Sequence, residues 1–262
     1  MGKRLLFLGV LFTMVALSGS VALAFDPIGP LGSQQKQGER SVGLEWAFSD
    51  MDVQRYRKPG SDSGKKAELE MHKLLLNIAY GPSDNWDVFG RVGAIVSSTF
   101  TREAYEGDLE GDGDVGFTIG GGVKTTFWRP SPDLVWGGVA QFTWNKIDGD
   151  MDPGTSYYEG EPDTFWDLDF VEIQVVAGPT WAVSDSASVY AGAGYFMTRA
   201  ILDEEAPDDR PEHRYHPVTE MDNFGGVVGL QAQIGDNSSA NVEYIWTGDS
   251  YAVCAGLIFR TR

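Results

Sequence analysis

From residue 39 onward, apolar and polar positions alternate along the chain. Val42, Leu44, Trp46 and Phe48 take one parity, and Ser41, Gly43, Glu45 and Ala47 take the other. Alternation with a period of two marks an extended strand whose two faces meet different surroundings. The pattern returns around 74–80, 86–97, 115–127, 136–145, 171–181, 189–198, 224–234, 242–246 and 253–260. The reading is therefore ten strands, with eight as the alternative. Most are long enough for a tilted strand to cross a bilayer, which takes ~9–11 residues. Ten is also even, as single-chain bacterial outer-membrane barrels require.

The connections sort by parity. Those at 81–85, 129–133, 183–186 and 235–238 are short, whereas those at about 50–67, 101–114, 148–166 and 200–221 are long and polar. Short turns on one side and long loops on the other are the mark of a transmembrane barrel. A soluble barrel would bury the apolar face, and a membrane barrel turns it outward. The aromatics decide between them. Tyr80, Trp86, Phe127, Trp136 and Trp181 stand at one end of the apolar faces, and Trp46, Phe48, Trp144, Phe224, Tyr244 and Trp246 at the other. Val, Ala, Leu and Ile lie between. Two aromatic belts around an aliphatic band match two membrane interfaces. The expected fold is all-β: a closed, antiparallel, up-and-down transmembrane barrel over 39–262.

The N-terminus reads as an export signal. Lys3 and Arg4 precede a 13-residue apolar run at 5–17, too short for a spanning helix, and small residues Ala22 and Ala24 follow. Cleavage after Ala24 leaves Phe25 first, so 1–24 is a signal peptide and the destination is the outer membrane of a Gram-negative cell envelope. Residues 25–38, with two prolines and three glycines, read as a periplasmic lead-in. The net charge is −18. Removing two basic residues and no acidic one takes it to −20, which argues against nucleic acid. The single cysteine, Cys254, excludes an intrachain disulfide and reads as a small buried apolar residue.

The alternating strands Trp86-Asp-Val-Phe-Gly-Arg-Val-Gly-Ala94 and Val189-Tyr-Ala-Gly-Ala-Gly-Tyr195, and the closing Gly256-Leu-Ile-Phe259, resemble the small outer-membrane barrels of the OmpA-like and opacity-protein kind. The resemblance implies outer-membrane lipid, lipopolysaccharide and the barrel assembly machinery as partners. It departs in strand number, which is eight in the best-known members, and at the end of the chain. There the usual terminal aromatic is replaced by Phe259-Arg-Thr-Arg262.

The inward parity carries Glu45, Arg91, Lys124, Glu172 and Glu243. In a lumen just wide enough for side chains, opposite charges should pair and fill the space. The functional expectation is a plugged polar lumen with a structural or surface-interaction role. The alternative is a narrow cation-preferring, porin-like channel. No cofactor is expected. The acidic loops offer weak Ca2+ or Mg2+ ligands in two half-matches to a calcium loop. The first holds Asp108, Glu110 and Asp112, with Ile119 in the twelfth place; the second holds Asp148, Asp150, Asp152 and Glu159, with Pro153 where glycine is wanted. His213 and His216 read as polar loop surface. Surface proteases of the omptin type carry an aspartate pair and an Asp-x-His; Asp112-Gly-Asp114 and His213 resemble these, but Pro211 stands where the second aspartate belongs. The chain is therefore not expected to be an enzyme.

Overall fold

A computed structural model describes residues 25–55, 65–104, 107–151, 164–205, 216–220, 224–248 and 250–261. Twelve strands follow in order: β1 (Arg40–Arg55), β2 (Lys65–Ser83), β3 (Trp86–Ala104), β4 (Gly107–Gly113), β5 (Gly116–Ser131), β6 (Leu134–Met151), β7 (Thr164–Ser184), β8 (Ala187–Glu205), β9 (His216–Glu220), β10 (Phe224–Gly235), β11 (Ser238–Trp246) and β12 (Ser250–Thr261). Ten of them form the wall. Every wall strand pairs antiparallel with its neighbours, and β1 closes the ring on β12 through twelve residue pairs from Arg40↔Thr261 to Met51↔Ser250. Closure leaves no unpaired edge, the condition for a sheet to stand in lipid. No helix among the described residues is long and apolar enough to cross a membrane.

The two extra strands extend the wall outward. β4 continues the line of β5 after a break at Asp114 and Val115, pairing with β3 on one side and β6 on the other. β10, β11 and β12 are shorter than the other wall strands, β1 to β3 and β5 to β8. Above them, β9 pairs with both β8 and β1 and closes the gap. The ten-strand reading therefore describes the wall, and β4 and β9 lie within segments read as outer loops.

The faces fall as the alternation predicts. On the outside, Leu44 is 49% and Val92 42% exposed; on the inside, Lys73 is 0% and Glu172 1%. Trp128 packs at a tilt against Trp136 at 6.1 Å in the belt at the short-turn end, and Tyr244 stacks on Trp246 at 5.8 Å in the outer belt. Ser97 departs from expectation. Its parity predicts an inward side chain, but the β2–β3 register shifts between His72↔Ser97 and Lys73↔Ile95. Val96 is the extra residue of a bulge, so Ser97 turns outward while Ile95 and Ser98 turn in.

The larger correction concerns residues 25–38. They are not a lead-in outside the barrel. Phe25, Asp26, Ile28 and Leu31 are fully buried, because the segment turns at Gly38 and runs back up the lumen. The turn is held by Gly38 N–H to Gly81 O (2.8 Å) and Gly81 N–H to Glu39 O (3.0 Å). Gly38 has φ +83°, which glycine adopts without strain.

An arginine on the lipid face tests the orientation. Val92→Arg should cost about 2–4 kcal/mol, and Val115→Arg, beyond the outer belt, about 0–1 kcal/mol. Urea unfolding in lipid vesicles checks this, and equal costs at the two sites would overturn the assignment of faces.

Candidate functional site

The site is the lumen and the segment inside it. A chain without regular structure must find partners for its N–H and C=O groups, and the inward residues of the wall provide them. Going outward, Gln34 and Gln35 donate their backbone N–H groups to Asp87 (2.6 and 3.2 Å), as does the Ser33 hydroxyl (2.7 Å). Ser33 N–H donates to Thr126 (3.0 Å) and Leu31 N–H to Thr180 (3.2 Å). Ile28 and Gly29 both donate their N–H groups to Glu243 (2.5 and 2.7 Å), which also accepts from the Tyr190 hydroxyl (2.7 Å). Two successive N–H groups can converge on one carboxylate because Gly29 has φ +67°. Lys124 answers on the carbonyl side, donating to Ile28 O and to Pro30 O (3.3 Å).

Higher up, Arg91 joins plug to wall. Its Nε donates to Glu45 (2.7 Å), one terminal nitrogen to Gln141 (2.9 Å) and the other to Pro27 O (2.6 Å). Its guanidinium lies 4.7 Å from the Phe89 ring centroid. Asp26 pairs with Lys73 (3.1 Å) and accepts from Thr143, and Lys73 also bonds Glu172. The Phe25 ring packs against Phe196 at 4.8 Å, and the Cys254 thiol faces the Phe25 carbonyl at 3.7 Å. Between plug and wall lies a cavity of about 40 Å3, lined by Gln35, Ser41, Glu45, Asn77, Asp87 and Lys124 among others. At roughly 10–15 Å3 per water, that holds a few waters and no larger solute.

Above Phe25 the inward positions become apolar. Met51, Leu69, Met71, Ile95, Ile147, Trp166 and Leu168 are all buried there, and Phe100 packs on Trp166 at 5.8 Å. The lumen is thus mainly polar where the plug lies and mainly apolar beyond its tip, a layering that the expected plugged polar lumen did not include.

Of the five residues expected to form a charge network, only Glu45 and Arg91 bond each other. Glu172 pairs with Lys73, while Glu243 and Lys124 are satisfied by backbone of the plug. Asp26, Asp87 and Lys73 complete the set; the first was missed because its segment was placed outside. Sequence held one signal for it, since Ile28 and Leu31 are apolar residues with no purpose in a solvated lead-in.

The two calcium half-matches fare differently. Residues 107–113 form strand β4 rather than the coiled loop that an EF-hand-like site needs. Asp112 and Asp148 are exposed, and Asp148 lies 3.7 Å from Lys146. The side chains of Asp108, Glu110 and Asp150, and all of Asp152, Glu159 and His213, lie outside the described residues, as does the His216 side chain. An acidic group that the motif reading missed is formed by Asp50, Glu68 and Glu70 on β1 and β2, with carboxylate oxygens within 4.8 Å of one another. On β6, Lys146 has its pKa raised by its hydrogen bond to Asp167 at the outer end of the strand.

No family model and no curated protein matches the chain. Solved structures do. The outer membrane protease OmpT from Escherichia coli aligns over 90% of this chain and 99% of its own, with a TM-score of 0.54 and 7% identity. The translocator domain of the autotransporter NalP from Neisseria meningitidis aligns over 88% and 90%, with a TM-score of 0.48 and 11% identity. OprG from Pseudomonas aeruginosa aligns over 87% and 97%, with a TM-score of 0.46 and 12% identity. The chain has the fold of the outer-membrane β-barrels.

Truncating Arg91 measures what the plug contacts contribute. Arg91→Ala leaves Glu45 and the Pro27 carbonyl without their donor in a buried site, so it should destabilise by about 3–5 kcal/mol. Arg91→Lys should recover only part, because an ammonium cannot span the three acceptors as a fork does. Urea midpoints of the refolded variants decide this, and a cost within error of zero would mean that Arg91 does not tie the plug to the wall.

Proposed function

We propose that the protein is a closed barrel of the outer membrane, sealed by its own N-terminal segment and serving envelope structure or surface interaction rather than open diffusion. The observation that carries this reading is the occupied lumen. From Gln35 to Asp26, successive backbone groups are bonded to Asp87, Thr126, Thr180, Lys124, Glu243 and Arg91. A segment held at so many points excludes bulk water from the polar part of the pore. The proposed role is non-enzymatic. Its proposed partners are outer-membrane lipid and lipopolysaccharide outside, and the barrel assembly machinery during insertion. The export signal is proposed to be removed after Ala24.

The acidic outer loops favour one second reading, a narrow cation-preferring channel that opens when the plug leaves. Five lumen carboxylates (Asp26, Glu45, Asp87, Glu172, Glu243) face four lumen cations (Lys73, Arg91, Lys124, Arg260). Taking Asp26 out with the plug leaves four against four, so any preference comes from the acidic loops at the mouth.

Planar-bilayer recording separates the two. The refolded mature protein should be silent or give brief small events. A variant lacking residues 25–35 should give stable steps that favour cations. Large stable steps from the unaltered protein would sink the sealed-barrel reading.

A further inference from the structure

The five lumen carboxylates present ten oxygens. Asp87 uses both on Ser33, Gln34 and Gln35; Glu243 on Ile28, Gly29 and Tyr190; Glu45 on Arg91 and Asn77; and Asp26 on Lys73 and Thr143. Glu172 directs Oε2 to Lys73 and Asn145. Its Oε1 has no partner, although the residue is 1% exposed. Two more buried oxygens around it are also unpartnered: Asn145 Oδ1, and Oγ1 of Thr198, the cross-strand neighbour of Glu172. A buried carboxylate oxygen with no donor is destabilising, because it has lost its water without gaining a partner. Three acceptor-capable atoms around one charge describe the place of a small cation with several N–H donors.

The plug ends there. The Gln174 amide, in the orientation that satisfies its surroundings, accepts from Asp26 N–H (2.9 Å) and donates to Asp26 O (3.3 Å). Glu172 is the next inward residue above Gln174 on β7, and Phe25 is the next residue above Asp26 on the plug. The Phe25 ring lies on Phe196, the register partner of Gln174 and two residues from Thr198. The backbone nitrogen of Phe25 therefore rises from the level of Gln174 toward that of Glu172.

We propose that the α-ammonium of Phe25, created by removal of the export signal, is a fifth lumen cation and occupies the place among Glu172, Asn145 and Thr198. The inference rests on cleavage after Ala24. In that step, water hydrolyses the Ala24–Phe25 peptide bond; its oxygen goes to the Ala24 carboxylate, and the freed amine is protonated. An ammonium has three donors for the three open acceptors and changes the lumen balance from five against four to five against five. It pins the tip of the plug as Arg91 and Lys124 pin its length, so processing completes the seal. A residue left before Phe25 would turn the nitrogen into an uncharged amide with one donor and force more chain into the apolar layer above.

The experiment uses mature protein from outer membranes. N-terminal sequencing and intact mass should identify Phe25 as the first residue. An amine-selective reagent at neutral pH should label the Phe25 amine in the folded protein roughly a hundredfold more slowly than in urea, as for a group reached only through opening. Three refolded variants complete the test. Glu172→Gln should accelerate labelling and lower the urea midpoint. A chain with a methionine before Phe25 should also lower the midpoint, and adding Glu172→Gln to it should cost little more, since both remove one interaction. A mature chain that starts elsewhere overturns both the cleavage reading and the inference. A Phe25 start with equal labelling in folded and unfolded protein overturns the inference alone. Additive effects, or protection that depends on sodium concentration, would assign the place to water or an inorganic cation instead.

Discussion

Inside a closed barrel, every polar group must find a partner within the protein, because water is scarce and an unpaired charge is costly. Here the polar interior and the N-terminal segment satisfy each other. Glu243 has no side-chain cation bonded to it, yet both of its oxygens accept from backbone N–H groups. Lys124 has no carboxylate bonded to it, yet it holds two carbonyls. Without the plug these groups would face an empty pore, and without them the plug would carry unpaired backbone. The wall and the segment are therefore one folding problem.

That mutual dependence explains why the lumen is layered. Polar inward residues occur where backbone passes beside them. Beyond the tip at Phe25, no backbone needs partners, and the inward positions are Met51, Leu69, Ile147, Trp166 and Leu168. There the interior packs like an ordinary core, and it lies above the outer aromatic belt where the wall extends past the membrane. β9 belongs to the same extension: it closes the ring at a height that β10, β11 and β12 do not reach. The outer part of the molecule is thus a hydrophobic-cored barrel set on a plugged membrane barrel, built from the same long strands.

The contrast between Arg91 and Glu172 ties the layers to function. Arg91 is saturated by wall and plug together and makes the seal costly to open. Glu172, at the boundary with the apolar layer, retains an oxygen that no described side chain reaches. Three open acceptors at the tip of the plug, on Glu172, Asn145 and Thr198, are what the proposed processed end would satisfy.

Much of the architecture was legible in the residues. Alternation at Val42–Phe48 or Trp86–Ala94 fixes which side chains share a face, because a strand allows only two directions. The aromatic ends and the parity of the connections then say which face meets lipid. Glu45, Arg91, Lys124, Glu172 and Glu243 could be placed in the lumen on that basis alone. Their partners could not. Pairing depends on height around a tilted wall and on what else enters the lumen, and neither is a local property. Residues 25–38 have no periodicity, so nothing in them distinguishes a periplasmic tail from a plug until the ring closes around them. The bulge at Val96 was equally invisible, since one extra residue leaves the composition unchanged and shifts only the register. Local alternation determined the wall, and the closed tertiary structure alone decided that the protein's own N-terminal segment would fill the polar part of it.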